Sequence, residues 1–73
     1  MNLETRIIRK VWNFVETANP YSLLNLSDKE LIKKLTDEVE RVSSLSSHES
    51  ENLIEYIVTR KLLIRDLAAS KID

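Results

Sequence analysis

The chain offers few side chains for acid–base, nucleophilic or metal chemistry, because it has one histidine and no cysteine. His48 lies three residues before Glu51 and seven before Glu55, so the three could bind a metal ion from one helix. One imidazole and two mobile carboxylates are a weak ligand set, and residues at these spacings do not all lie on one face of a helix. The pattern is more typical of an exposed first helical turn, where the helix dipole favours acidic residues. We therefore predict no metal site, no cofactor and no enzymatic activity.

Composition argues against several further classes of protein. Phosphate-binding loops need glycine so that backbone amides can approach the phosphate, and this chain has none. The absence of glycine also disfavours a domain rich in β-hairpins. Without cysteine there are no disulfides or thiolate metal sites, and this fits a cytoplasmic protein. Uninterrupted apolar runs do not exceed three residues, so we expect no membrane span.

The charges of the chain are balanced, with eleven basic and twelve acidic residues and a formal net charge of −1. Such balance argues against binding driven by neutralisation of phosphates. Basic residues are nevertheless concentrated in two segments, which could together form a surface for nucleic acid. A nucleic-acid-associated regulator is therefore the alternative function. Its candidate residues are Arg6, Arg9, Lys10, Lys61 and Arg65.

Arg60 interrupts an apolar helical face, between Ile57 and Leu63. A buried guanidinium would need a carboxylate partner, because an unpaired buried charge is costly. Glu4, near the start of the first apolar segment, is the candidate. The alternatives are an arginine whose methylenes cover the core edge while its head reaches water, and an anionic ligand site.

The elements that position these residues are helical. Apolar residues recur at helical spacing over about residues 3–18, 28–43 and 47–69. The apolar connector between the first two segments predicts a further helical turn near 20–25. Because short connections make consecutive helices antiparallel neighbours, we predict an all-α fold. It is a compact three-helix antiparallel bundle forming a single domain over residues 1–73.

Local signals mark where the second and third helices begin. Ser27 with Glu30, and Ser46 with Glu49, have the spacing of capping boxes. The second helix then carries a narrow apolar stripe, and opposite charges four residues apart cover the rest, as is typical of a solvated face. The stripe consists of Leu31, Ile32, Leu35, Val39 and Val42.

The third helix is apolar round most of its circumference, more than two neighbouring helices would cover. We expect part of it, or the Trp12 border of the first helix, to lie in a subunit or partner interface. The sequence thus predicts a small non-enzymatic interaction or regulatory module, acting through apolar helix faces as a homodimer or with another protein. The candidate interface residues are Trp12, Val58, Arg60, Leu62 and Leu63.

Overall fold

A computed structural model describes residues 4–72, and within this range the chain forms four α-helices and no strands. The predicted all-α class is confirmed, and the connector forms the short helix that was expected there. The predicted helix start at residue 3 lies outside the described residues, and Glu4 is the extended N-cap of the first helix. The helices are α1 (Thr5–Thr17), α2 (Pro20–Asn25), α3 (Asp28–Val42) and α4 (Ser47–Ser70).

The helix α4 is central because it packs against each of the other three. The helix α3 runs antiparallel to it, since Asp28 at the start of α3 pairs with Arg65. Near the other end of α3, the Glu40 carboxylate accepts a hydrogen bond from the hydroxyl of Ser50. The helices α1 and α4 run in the same direction, since Trp12 contacts Tyr56 and the later Val15 contacts Lys71.

The core lies between the three long helices and is closed on one side by α2. Each fully buried aliphatic side chain stabilises the fold by about 1.5–3 kcal/mol relative to an exposed one. The core residues are Ile7, Val11, Val15, Leu23, Leu31, Leu35, Val39, Leu53, Ile57, Ile64 and Ala68.

Within the part of the chain that the structure describes, no helix is both long and apolar enough to cross a bilayer.

Both predicted capping boxes are present. The hydroxyl of Ser27 accepts from the Glu30 amide at 3.2 Å, and the Glu30 carboxylate accepts from the Ser27 amide at 3.0 Å. These bonds hold the pKa of Glu30 below its ordinary value, with the Ser27 backbone amide as the main cause. Ser46 and Glu49 make the same reciprocal pair at the start of α4, at 3.2 and 2.9 Å.

Two further contacts satisfy helix ends. The Asn19 side chain accepts from the Tyr21 amide at 2.8 Å and so caps α2. At the C-terminal end of α1, the Lys71 ammonium donates hydrogen bonds to the carbonyls of Val15 and Glu16. Carbonyls in the last turn of a helix have no hydrogen-bond donor within that helix. Lys71, at the end of α4, provides a donor for these carbonyls of α1.

Replacing Ser46 by alanine is expected to lower the free energy of unfolding by about 1 kcal/mol, because the Glu49 amide loses its acceptor. Urea unfolding followed by circular dichroism measures the change. Ser44→Ala is the matched control, because Ser44 is exposed and lies outside the helices. It is expected to cost less than about 0.5 kcal/mol. Equal losses in the two variants would contradict the capping role.

Candidate functional site

The solvent side of α4 carries Ile54, Val58 and Leu62, which we call the outer row. The three lie four residues apart, so they share one helix face and span about 12 Å. Their exposed fractions are 41%, 41% and 72%. On the inner face of the same helix, Leu53 and Ile57 are fully buried. The outer row is therefore presented by a helix that the core holds in place.

A groove between α3 and α4 adjoins the outer row. It has a volume of about 400 Å³, and Ile32, Thr36 and Ile54 line its floor and wall. The Thr36 hydroxyl donates to the Ile32 carbonyl at 2.7 Å, so its polar atom is satisfied within α3. Because Ile54 belongs to both features, the groove and the outer row form one continuous surface. The remaining groove residues are Lys29, Lys33, Asp37 and Glu40.

The five predicted interface residues lie on two different surfaces. Val58 and Leu62 belong to the outer row. Leu63 is also well exposed, at 48%, but it lies about 100° round the helix from Leu62. Leu63 follows Tyr56 by seven residues and therefore lies on the α1 side of α4, as does Arg60 with its contact to Tyr56.

Trp12, Tyr56 and Arg60 form a layered cluster at the junction of α1 and α4. The indole N–H of Trp12 donates to the Tyr56 hydroxyl at 2.9 Å. The Arg60 guanidinium lies over the ring of the same tyrosine, 5.0 Å from its centroid. The cluster joins two helices by a hydrogen bond and a cation–π contact.

Arg60 reaches water, in agreement with one of the three interpretations of its place in the sequence. Its side chain is exposed and donates to the hydroxyl of Thr59. Within residues 4–72 it forms no ion pair, and the Glu4 carboxylate instead binds Arg6 at 2.9 Å. The Glu4–Arg60 pair considered from the sequence is not formed.

Asp28 ties the start of α3 to the second half of α4. Its carboxylate lies 2.8 Å from the Arg65 guanidinium and 3.1 Å from the Lys61 ammonium. The hydrogen bond from Arg65, followed by that from Lys61, holds the pKa of Asp28 below its ordinary value. Arg65 also donates to the carbonyl of Leu26, so one side chain satisfies the junction between α2 and α3.

The basic residues considered for nucleic acid do not form one surface. Arg6 is paired with Glu4, while Lys61 and Arg65 are paired with Asp28. Arg6 lies in the first turn of α1, whereas the other two lie in the second half of α4. Because α1 and α4 are parallel, the two groups are displaced toward opposite ends of the bundle. Arg9 and Lys10, the remaining members, lie on α1 with Arg6.

The histidine is exposed in the first turn of α4. Between residues 4 and 72, the structure brings no three histidine, cysteine, aspartate or glutamate side chains into an arrangement that could hold a metal ion.

The sequence did not predict the groove, because the charged surface of α3 beside its apolar stripe is typical of a solvated face. Thr36 is in fact buried, and Ile32 is only half-buried and forms part of the groove. The available signal was the four-residue spacing of Ile32 and Thr36, which widens the apolar side of α3 on one flank.

No protein-family model, curated protein or solved structure matches the chain. Any function therefore has to be inferred from the surfaces of the chain itself. The outer row with its groove combines several exposed aliphatic side chains with a concave neighbour.

Asp28→Asn is expected to destabilise the fold at neutral pH and to have less effect as the pH falls below 3.8, the ordinary pKa of this side chain. The folded-state pKa is the lower one, so the carboxylate stabilises the fold fully above the unfolded-state pKa. That contribution is lost as the pH falls through the folded-state pKa. Melting temperatures of wild type and variant should therefore converge in acid.

Glu16→Gln is the control for this pH series, because the Glu16 carboxylate forms no ion pair within residues 4–72. It is expected to leave the melting temperature near that of wild type across the series. An Asp28→Asn deficit that stays constant down to the most acidic sample would show that the ion pairs with Lys61 and Arg65 contribute nothing.

Arg60→Met is expected to cost less than about 1 kcal/mol, because an exposed cation–π contact contributes about 0.5–1 kcal/mol and methionine keeps an apolar side chain there. Thermal unfolding measures the change. Tyr56→Phe serves for comparison, since it leaves the Trp12 N–H without its acceptor and is expected to cost about 1–3 kcal/mol. A loss of about 3 kcal/mol or more for Arg60→Met would indicate a buried ion pair.

Proposed function

We propose that this chain is a non-enzymatic protein-interaction module that self-associates as a homodimer through the outer row. The observation that carries the proposal is the 72% exposure of Leu62 at the end of a row that also exposes Ile54 and Val58. Aliphatic side chains grouped on a rigid surface next to a concavity are typical of protein interfaces.

The free energy available from this surface is sufficient to matter. Fully burying an exposed isoleucine, valine or leucine side chain is favourable by about 1.5–3 kcal/mol, and each member of the row is already partly covered. The helix that carries the row is held by its buried inner face. Association therefore costs little backbone conformational entropy, so more of the free energy gained by burial contributes to affinity.

The length of the chain favours the same proposal. A domain of 73 residues buries a modest fraction of its surface, and this chain has no cysteine for a disulfide. Burial against a second subunit is one of the remaining ways to add stability. We also infer a cytoplasmic location, which fits the absence of cysteine.

Two neighbouring leucines provide a matched test of which side of α4 associates. Leu62→Glu is expected to convert the dimer into a folded monomer, because the new carboxylate would be buried in the interface. Leu63→Glu introduces the same charge one residue later, on the Trp12 and Arg60 side, and is expected to leave the dimer intact. Light scattering across the micromolar range measures the mass, and circular dichroism checks the fold.

The possible outcomes separate the alternatives. A wild-type protein that stays monomeric throughout the micromolar range would refute self-association. A dimer lost in Leu63→Glu and kept in Leu62→Glu would move the interface to the α1 side of α4. Binding of DNA or RNA with a steep dependence on salt would support the nucleic-acid alternative instead.

A further inference from the structure

The face shared by α3 and α4 has an apolar middle and two ends of opposite charge. The middle is formed by the outer row and the groove. The basic end consists of Lys29, Lys33, Lys61 and Arg65, with Asp28 and Asp66 among them, and the acidic end consists of Asp37, Glu40 and Glu51.

This separation of charge follows from the order of residues in the two helices. On this face α3 carries lysines in its first half and carboxylates in its second, whereas α4 carries Glu51 near its start and Lys61, Arg65 and Asp66 further on. Because the helices are antiparallel, one end of the face has a net positive charge and the other a net negative charge. Lys33 also pairs with Asp37 at 3.0 Å, a contact within α3 that is exposed and therefore weak.

We propose that a second copy of the chain docks on this face in the antiparallel direction, about a two-fold axis through Val58. This inference rests on the proposed self-association and specifies its geometry. Ile54 and Leu62 are each four residues from Val58, so Leu62 of one copy lies opposite Ile54 of the other. The basic end of each copy then lies opposite the acidic end of its partner.

The symmetric spacing of residues about Val58 favours a second copy of the chain as the partner. A two-fold interface requires a surface that is complementary to itself after a half-turn. Glu51 and Arg65 are each seven residues from Val58, so the same half-turn that pairs the aliphatic residues also brings these opposite charges together. Charge complementarity of this kind sets orientation more than affinity, since exposed charges are screened by salt.

The size of the face supports the inclusion of α3. Stable interfaces bury about 800 Å² on each partner, more than three aliphatic side chains can supply. The described chain measures 37 × 19 × 19 Å, so an interface of that size takes most of one long side. The groove beside Ile54 adds the exposed area of Ile32, and its 400 Å³ receives Leu62 of the second copy.

Cysteine cross-linking tests this geometry directly, because the native chain has no cysteine. Val58→Cys is expected to form a disulfide-linked dimer with itself under mild oxidation. Ile54→Cys and Leu62→Cys are expected to cross-link when mixed and not when oxidised separately. In the antiparallel pair, equivalent cysteines at either position are about 12 Å apart along the helix, beyond the roughly 4.4–6.8 Å between Cα atoms of a disulfide.

Leu63→Cys is the matched control, expected to remain unlinked although Leu63 is also exposed. Circular dichroism verifies that each variant is folded, and light scattering of the wild type establishes whether a dimer exists. A monomeric wild type would refute both the self-association and this geometry.

Two results would overturn the geometry while leaving self-association intact. Linkage of Ile54→Cys to itself and of Leu62→Cys to itself would indicate parallel helices. A wild-type dimer with no linkage at residues 54, 58 and 62 would place the interface elsewhere on the chain.

Discussion

The burial of the inner face of α4 against three other helices is the interaction on which the remaining structure depends. Leu53, Ile57 and Ile64 are fully enclosed there, and each of the other three helices packs against this one. With no cysteine in the chain, no covalent link shares this role. The central position also fixes the rotation of α4 about its own axis, which determines which of its side chains are left to solvent.

Three helices that pack against one side of α4 cannot cover all of its apolar surface, which extends round most of the helix. The two flanks that remain differ in character. On the α1 flank, Trp12 and Arg60 cover part of the surface and provide polar atoms at its edge. On the α3 flank, the outer row stays partly exposed and borders a concavity. The two flanks therefore differ in their polar atoms and in the shape of the surface beside them.

The features that could be predicted from sequence are those decided within one helix. Periodicity located the long helices, and the serine–glutamate pairs located two of their starts, because caps depend on residues three apart. Which sides are covered depends on contacts between distant segments. Helical spacing places Leu62 and Leu63 about 100° apart, but which neighbouring helix lies beside each of them depends on the packing. Val42 continues the apolar stripe of α3, but it is the last residue of that helix, lies beyond the core and is 57% exposed.

The hydrogen bonds from Lys71 to Val15 and Glu16 have a consequence for local opening. The lysine is the C-cap residue of α4, and its ammonium supplies partners to carbonyls in the last turn of α1. Fraying of α4 at this point removes those partners, so the ends of the two helices loosen together. We therefore expect amide hydrogen exchange in the last turns of α1 and α4 to be coupled, although more than fifty residues separate them in sequence.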